Sequence, residues 1–525
     1  MRLLQDCDDD EPVRGEPNQM GTYTVAYTWG SQVEALERDA FEVLRLVRSI
    51  KNSFAPINRI PSEVLSLIPD YHGEDDWMVD QDLIALTHVC HGWREMFISR
   101  SSLWTRFDFR NTDKTNTYIE RSKSSPLKLY IGWSTIIDHT FPPMVQHIHR
   151  LKSLTVDVGF FPTILQHFSC QTPLLDELDI RSLREPVLNS TLFNGDLSSL
   201  TTLRLEGALA YFPWKNLANL QTAVFITQLH AYSTTQILDF FESAPLLHTV
   251  SLWCSLSNSS DAPSGRMVHL RHLKVLTIQA HPPHSVLLQH LHIPAGASLI
   301  SKYPVRNERA PFLDHLPVNS PNLNNLSPIT TINLHFDVEH KFVRFSGPNG
   351  SLRVLSTWER WGGLPPLTRD GHILRSIGHS MLSTIQTLSI SRYRHLRPAQ
   401  VNECPIYQTL SSTNNLRTLV LTDCNCLPFV FALNPRWHPT DPILCSNLEE
   451  LIFYISSWYN FNPSLAEVLE QRALRGVRLP LLRFVDLSGR GEMKEKPELE
   501  QYVGRMEYKV MDTRHSWDDI PSENK

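Results

Sequence analysis

The sequence predicts an α/β protein in which N-terminal helices precede a solenoid of short, repeated strands. Its 525 residues are enough for two or more domains, and contents of 41% hydrophobic and 20% charged residues are typical of a folded chain. In the N-terminal part of the chain, apolar residues recur every three or four positions, which is the period of a helix. Behind this region, a leucine template recurs at intervals of roughly 20–34 residues.

Composition and charge exclude several classes of protein. The formal net charge is -6, so the chain does not have the excess of basic residues that is typical of proteins that bind nucleic acid or an anionic membrane. The first residues, MRLLQDCDDDEP, do not resemble a signal peptide, and no apolar run is long enough to span a bilayer. We expect residues 1–30 to be a disordered acidic tail, the 8 cysteines to be reduced, and the location to be the cytoplasm, the nucleus or both.

Residues 31–54 carry a seam of apolar side chains that predicts an amphipathic helix. Spacings of 3 and 4 alternate through Val33, Leu36, Ala40, Val43, Val47, Ile50 and Phe54, as at the a and d positions of a heptad. Three heptads are the lower limit for a coiled coil. Two interpretations therefore stay open: the helix packs on the segment or domain behind it, or the chain self-associates through the seam.

Residues 55–107 have the pattern of two or three short helices. A first helix is expected after Pro61, with Val64, Leu65 and Ile68 on one face. A longer stripe follows at spacings of 3, 4, 3 and 4, through Leu83, Leu86, Cys90, Trp93 and Phe97, and Gly92 is expected to break it. About fifty residues cannot bury two such faces internally, so the stripe predicts contact with another surface.

The same residues resemble a known family. Ile60-Pro61-Ser62-Glu63-Val64-Leu65, then Val89-Cys90-His91-Gly92-Trp93-Arg94, then Leu103-Trp104, are similar to the F-box, in the layout of fungal F-box-like proteins. The chain departs from the usual pattern in two places. Ile60 replaces a leucine, and the acidic insertion Gly73-Glu74-Asp75-Asp76 lengthens the first loop.

The resemblance implies a function in ubiquitin ligation. An F-box docks on a Skp-type adaptor and so joins a cullin–RING ubiquitin ligase of the SCF type, while the rest of the chain holds a client protein. The residues expected at the adaptor are Ile60, Pro61, Glu63, Val64, Leu65, Ile68, Leu83, Leu86, Val89, Cys90 and Trp93. The alternative is a protein-binding scaffold without a ligase, in which these helices only cap the domain behind them.

Residues 108–488 carry a repeat with the template Leu-x-x-Leu-x-Leu and aliphatic variation. Its units begin at Leu151, Leu175, Leu200, Leu220, Leu247, Leu273, Ile329, Leu352, Ile385, Leu416, Leu448 and Leu482. This is the template of leucine-rich repeats, and it predicts an irregular horseshoe of parallel strands. An ordinary α/β domain with parallel strands is the alternative. The interval of 56 residues between Leu273 and Ile329 leaves room for one degenerate repeat.

The segments between these units differ in character. Residues 235–241 and 465–474 are apolar enough for helices that return the chain between strands. Residues 300–328, 359–372 and 425–446 are rich in Pro, Asn and Arg, and are expected to be long loops. Residues 489–525 are charged and mostly aperiodic, which predicts a frayed tail or a weak terminal cap.

Strand positions that point away from the predicted core are the candidates for client binding. They include Asp179, Arg204, Glu206, Thr418, Thr422, Phe484 and Asp486. Exposed strand residues also serve solubility alone, so the pattern does not distinguish the two roles.

No arrangement of residues predicts catalysis. The chain has no Gly-x-Ser-x-Gly elbow, no phosphate-binding Gly-x-x-x-x-Gly-Lys-[Ser/Thr] loop and no His-Glu-x-x-His helix. His88, Cys90 and His91 lie close in sequence, as do Cys424 and Cys426, but neither group has the four ligands of a structural zinc site. We therefore expect no metal and no cofactor, and recognition rather than an enzyme.

Overall fold

A computed structural model describes most of the chain and divides it into two compact units. The described residues are 20–65, 79–108, 111–132, 142–157, 168–181, 187–188, 192–207, 209–210, 216–256, 265–279, 284–304, 329–336, 340–348, 350–357, 384–393, 405–437, 443–455, 464–488 and 497–510. The first unit comprises Met1–Phe107 with Asn116–Ser125, and the second comprises Asp108–Thr115 with Pro126–Lys525. None of the described helices is long and apolar enough to cross a bilayer.

The front of the chain is helical. Its helices are Met20–Ser53, Ser62–Leu65, Val79–Thr87, His91–Ser99 and Thr112–Ser122, with 3₁₀ turns at Pro56–Arg59 and Ser101–Trp104. The expectation of disorder through residue 30 is wrong for residues 20–30, which continue the helix N-terminally, while residues 1–19 lie outside the described part. The expected break at Gly92 is also misplaced, because Gly92 lies inside a helix and the break falls at residues 88–90.

The N-terminal helix leaves its seam uncovered. Every side chain described between residues 29 and 54 is exposed, including the whole apolar series from Val33 to Phe54. The described residues of the first unit therefore do not cover the seam, and packing of the helix on the second unit stays a prediction. Most helical stability in proteins comes from the packing of an amphipathic face, and among the described residues the face of this helix has no such packing.

The second unit is built on one continuous sheet. The strands behind the helical region are Leu127–Ile131, Leu151–Asp157, Glu177–Arg181, Val187–Leu188, Thr202–Glu206, Leu209–Ala210, Thr222–Tyr232, Thr249–Leu256, Val268–His269, Val275–Gln279, Leu291–His292, Ser298–Pro304, Thr331–Phe336, His340–Gly347, Gly350–Thr357, Thr387–Ser391, Thr418–Thr422, Glu450–Ile455, Leu479–Asp486 and Val503–Val510. The pairs 187–188 with 209–210 and 268–269 with 291–292 form two small separate sheets.

The leucine template sets the register of the large sheet. Leu178 lies opposite Leu203 and Ile180 opposite Leu205 in parallel strands, and the same two template positions align in the following strands. Because these two positions are two residues apart, both side chains lie on one face, where they are buried. Each strand thus covers the apolar residues of its neighbour.

The long interval between Leu273 and Ile329 contains one more strand. Ser298–Pro304 pairs in parallel with Val275–Gln279 on one side and with Gly350–Thr357 on the other. The expected loop at residues 300–328 is therefore wrong for residues 300–304, and residues 305–328 lie outside the described part. His340–Gly347 pairs antiparallel with Thr331–Phe336 and with Gly350–Thr357, which inserts an antiparallel hairpin into an otherwise parallel ladder.

Two template units are displaced by three residues. Leu482 lies opposite Leu451, and Phe484 opposite Phe453, so the last expected unit begins at Leu479 rather than at Leu482. In the same way Leu352 lies opposite Leu299, so it takes the second template position and not the first. A shift by an odd number of residues exchanges the two faces of a strand, so outward and inward side chains are exchanged there.

The segments between strands include several helices. They are Pro142–Val145, Thr234–Ser243, His284–Gln289, Pro405–Ser411, Leu427–Ala432, Ser464–Leu474 and Pro497–Glu500, with 3₁₀ turns at Ile148–Arg150, Leu192–Gly195 and Pro435–Trp437. The helices predicted at residues 235–241 and 465–474 are confirmed. The loop expected at residues 425–446 is wrong in part, because it contains a helix and a 3₁₀ turn. Residues 359–372 lie outside the described part.

The predicted tail contains a further strand. Val503–Val510 pairs in parallel with Leu479–Asp486, with Met506 opposite Leu482 and Tyr508 opposite Phe484. Residues 503–510 are thus part of the sheet and follow the short helix Pro497–Glu500, which agrees with a terminal cap and not with a frayed end.

Candidate functional site

The helices of the F-box-like segment form a small core. Leu65, Trp93 and Phe97 are buried together, with Leu86, Cys90, Met96 and Leu103 packed against them. The rings of Trp93 and Phe97 meet edge to face with centroids 5.7 Å apart. This core uses the stripe that the helical period predicts, since Trp93 and Phe97 lie inside it, and Leu83 of the same stripe is also buried.

A second aromatic group fixes the end of the segment. Trp104 is buried, and its Nε1 donates a hydrogen bond to the carbonyl oxygen of Phe97 at 2.8 Å. Its ring contacts that of Tyr118 at a centroid distance of 4.9 Å, and the guanidinium of Arg121 lies 4.3 Å from its centre. The Leu-Trp pair of the motif is therefore a packing element.

Five large apolar side chains in the described part of the segment are exposed. They are Ile57, Ile60, Val64, Ile84 and Val89. The carbonyl of Pro61 accepts hydrogen bonds from the amides of Val64 and Leu65, each at 3.0 Å, which starts the helix that presents Val64. Ile57, Ile60 and Val64 lie on or beside the first helical turns. Ile84 lies in the helix before the break at residues 88–90, and Val89 lies in the break itself.

A contact across the segment brings these turns together. The Sγ of Cys90 lies 3.9 Å from the Oδ1 of Asn58. Val89 precedes Cys90 and Ile57 precedes Asn58, so the two exposed side chains sit on adjoining turns. An exposed group of large apolar residues on one small domain is typical of a protein interaction surface.

The predicted adaptor residues divide into two sets. Ile60, Pro61, Glu63, Val64 and Val89 are exposed, and Leu86 and Cys90 are half-buried. Leu65, Leu83 and Trp93 are buried, so their side chains do not belong to the exposed surface of the segment, and contact between them and a partner stays a prediction. Their stripe is covered within the segment by its neighbouring helices. Ile68 lies outside the described residues.

The predicted client residues also divide. Asp179, Arg204 and Glu206 form a charged cluster in which Arg204 lies 3.7 Å from Asp179 and 2.9 Å from Glu206. Arg181 donates to Asp179 at 2.6 Å, and this bond raises the pKa of Arg181. Thr418 is half-exposed. These four predicted residues, Asp179, Arg204, Glu206 and Thr418, are reachable from solvent.

Thr422, Phe484 and Asp486 are buried, contrary to the prediction of outward side chains. Phe484 stacks between Phe453 and Tyr508, with centroid distances of 5.5 and 5.6 Å, because the true register turns it inward. Asp486 accepts hydrogen bonds from the amide and hydroxyl of Ser488 at 2.7 and 2.6 Å, so it holds a turn. Thr422 ends its strand just before the turn at Asp423, where φ is 49°.

A polar groove of about 730 Å³ runs along the starts of five strands in the second unit. Its lining includes Asn415, Arg417, Asn447, Glu449 and Arg478. Arg417 and Glu449 form an ion pair at 3.3 Å. Among the described residues of this lining, Glu449 supplies one carboxylate and there is no histidine, so the groove does not have a general acid–base pair.

Cys424 and Cys426, which lie close together in the sequence, belong to the buried part of the second unit. Cys424 and Cys426 are buried, and burial raises the pKa of Cys426 to about 12. Within the part of the chain that the structure describes, no group of three or more His, Cys, Asp or Glu side chains could hold a metal ion.

Comparison with protein families places the helical segment. Residues 57–110 match the F-box-like family, which confirms the resemblance found between Ile60 and Trp104. The match covers about a tenth of the chain. No curated protein matches this chain. The F-box-like match therefore applies to the helical segment that carries the exposed apolar surface.

Proposed function

We propose that this protein is a substrate receptor of an SCF-type cullin–RING ubiquitin ligase. The observation that carries the proposal is the match of residues 57–110 to the F-box-like family on a segment that leaves five large apolar side chains exposed. F-box domains are typically non-enzymatic adaptors that bind Skp-type proteins within cullin ligases. The exposed set supplies the apolar surface that such docking needs.

The adaptor surface comprises Ile57, Ile60, Val64, Ile84 and Val89, with Pro61 and Glu63 beside them. Fully burying a Val or Ile side chain contributes about 1.5–3 kcal/mol, so covering the exposed part of each contributes roughly 1 kcal/mol. Leu65, Leu83 and Trp93 act indirectly, since their packing holds the helices that present this surface. Leu86 and Cys90 lie at its edge.

The sheet of the second unit is the client-binding part in this proposal, as an irregular leucine-rich-repeat solenoid. The recurring register of the leucine template supports it, because stacked repeats of this kind offer a long strand surface for partners. Asp179, Arg204, Glu206 and Thr418 are proposed client contacts. The protein then raises the effective concentration of client lysines near the ligase, in the cytoplasm or nucleus.

The double variant Val64→Asp/Val89→Asp tests the adaptor surface. Both side chains are 51% exposed, so two carboxylates there leave the core intact but must be desolvated on docking. We expect capture of a purified Skp-type adaptor by the full-length chain to fall at least a hundredfold, with an unchanged circular dichroism spectrum. Leu65→Asp or Trp93→Ala is a poorer test because both residues belong to the core.

Val510→Asp is the matched control. It makes the same substitution at a valine that is 56% exposed, in the last strand of the second unit. Adaptor capture should be unchanged in this variant. Wild-type chain that does not capture the adaptor, or equal losses in both variants, would refute the proposed docking.

A further inference from the structure

The N-terminal helix has an apolar seam longer than the pattern between Val33 and Phe54. The helix begins at Met20, so Trp29 joins the seam at the next spacing of four. The seam then runs Trp29, Val33, Leu36, Ala40, Val43, Val47, Ile50 and Phe54, and every one of these side chains is exposed. At 1.5 Å per residue it is about 38 Å long.

Charge is distributed unequally along this seam. The half before Val43 carries four acidic side chains and one basic side chain, Glu34, Glu37, Arg38, Asp39 and Glu42. The half after Val43 carries three basic side chains, Arg45, Arg48 and Lys51. The two halves thus have formal charges of -3 and +3. A partner helix that runs in the opposite direction and has the same sequence would place unlike halves side by side.

The apolar side chains also fit an antiparallel copy. If two helices cross between Ala40 and Val43, Ala40 of one lies in a layer with Val43 of the other. The same alignment pairs Leu36 with Val47, Val33 with Ile50, and Trp29 with Phe54. Each of the six seam residues from Val33 to Ile50 then meets an a or d residue of the second helix, as knobs-into-holes packing requires, and Trp29 meets Phe54 in the turn just after the helix ends at Ser53.

We infer that the N-terminal helix pairs with the same helix of a second copy of this chain in an antiparallel coiled coil. The inference does not depend on the proposed ligase function, since it concerns residues in front of the F-box-like segment. Covering the seam gives the helix the packing of its apolar face that the described residues do not supply. A parallel pair would place acidic halves together and basic halves together, which is unfavourable.

The mass of the purified full-length chain in solution tests the pairing. Light scattering should give about twice the chain mass of 60.3 kDa for the wild type. Leu36→Asp and Val43→Asp each place charges in the seam, and each should shift the protein to the monomer mass. A wild-type mass equal to one chain, or to three or more, would overturn the inference.

Phe41→Asp is the matched control for the seam. Phe41 is 71% exposed on the same helix, close to the 68% of Leu36, but it lies outside the a and d positions. Phe and Val have similar helix propensities, so Phe41→Asp matches Val43→Asp in its intrinsic cost to the helix, and a general loss of helix would act on both of these variants alike. The Phe41→Asp chain should remain paired, and dissociation equal to that of Leu36→Asp would overturn the inference.

Salt concentration tests the direction of pairing. Attraction between the unlike halves of an antiparallel pair is screened by salt, so the dissociation constant should rise several-fold from low to high salt. A parallel pair would tighten instead, because salt would screen repulsion between like halves. Tightening with salt would therefore overturn the antiparallel arrangement.

Discussion

The F-box-like segment and the large sheet cover their apolar residues in different ways. In the sheet, the template leucines are buried by the next strand of the same chain, and charged clusters such as that of Asp179 and Arg204 lie on the accessible face. In the segment, one stripe is buried and a second group from Ile57 to Val89 remains exposed. The described strands of the sheet cover their own template leucines, whereas the described part of the segment leaves a group of large apolar side chains exposed.

The largest expected effect on stability comes from truncation of a buried aromatic residue in the sheet, which tests the difference between the two regions. Phe225 is buried, with the ring of Phe240 at 4.9 Å and that of Tyr232 at 6.0 Å. Phe225→Ala leaves a cavity and should lower the unfolding free energy by about 3–5 kcal/mol. Urea unfolding followed by circular dichroism measures this free energy. Val89→Ala, at an exposed site of the F-box-like segment, should change the unfolding free energy by less than about 0.5 kcal/mol. Equal losses of unfolding free energy in the two variants would contradict the difference between the sheet and the segment.

A buried arginine of the second unit offers a second test of the difference between buried and exposed side chains. Arg472 is buried, and its guanidinium donates hydrogen bonds to the carbonyl oxygens of Leu444 and Cys445 at 2.8 and 2.9 Å. Burial lowers the pKa of this arginine. Arg472→Met keeps the aliphatic volume but removes both donors, and should cost about 1–3 kcal/mol in the same urea experiment. Arg475→Met, at an exposed position just after the same helix, is the control and should have no measurable effect.

The sequence predicts much of the sheet because each repeat is defined locally. The template between Leu151 and Ile278 gives the observed registers, since a period of two residues fixes which side chains share a face. It fails at the last expected unit because Leu479-Leu482-Phe484 and Leu482-Val485-Leu487 both fit the template. Hydrogen bonds to the neighbouring strand decide between them, and no local pattern contains that information.

The candidate site is predicted less well for a related reason. Helical period correctly groups Leu83, Trp93 and Phe97 on one face, but it does not tell whether that face is covered within the segment or by a partner. The exposed residues Ile57 and Ile84 lie off the stripe, so no periodic signal distinguishes them. Only the packing of the short helices shows that the stripe is the core and the residues beside it form the surface.

The smallest expected effect lies in the charged part of the sheet, in the strand Val503–Val510. Glu507 accepts a hydrogen bond from Arg483 at 2.9 Å, and this bond, with Arg505 and Lys509 nearby, lowers the pKa of Glu507. A lowered pKa in the folded state contributes stability above the ordinary carboxyl pKa, and the contribution is lost as pH falls through the folded value.

Glu507→Gln should therefore lower the urea midpoint slightly near neutral pH, and the difference from wild type should vanish in acid. Glu500→Gln, at an exposed position on the preceding helix, should show no such pH-dependent difference. A Glu507→Gln deficit that persists in acid would mean that the side chain acts through packing and not through its charge. Ion pairs at an accessible sheet face would then contribute no more than exposed pairs generally do, and the sheet would owe its stability to the leucine layers alone.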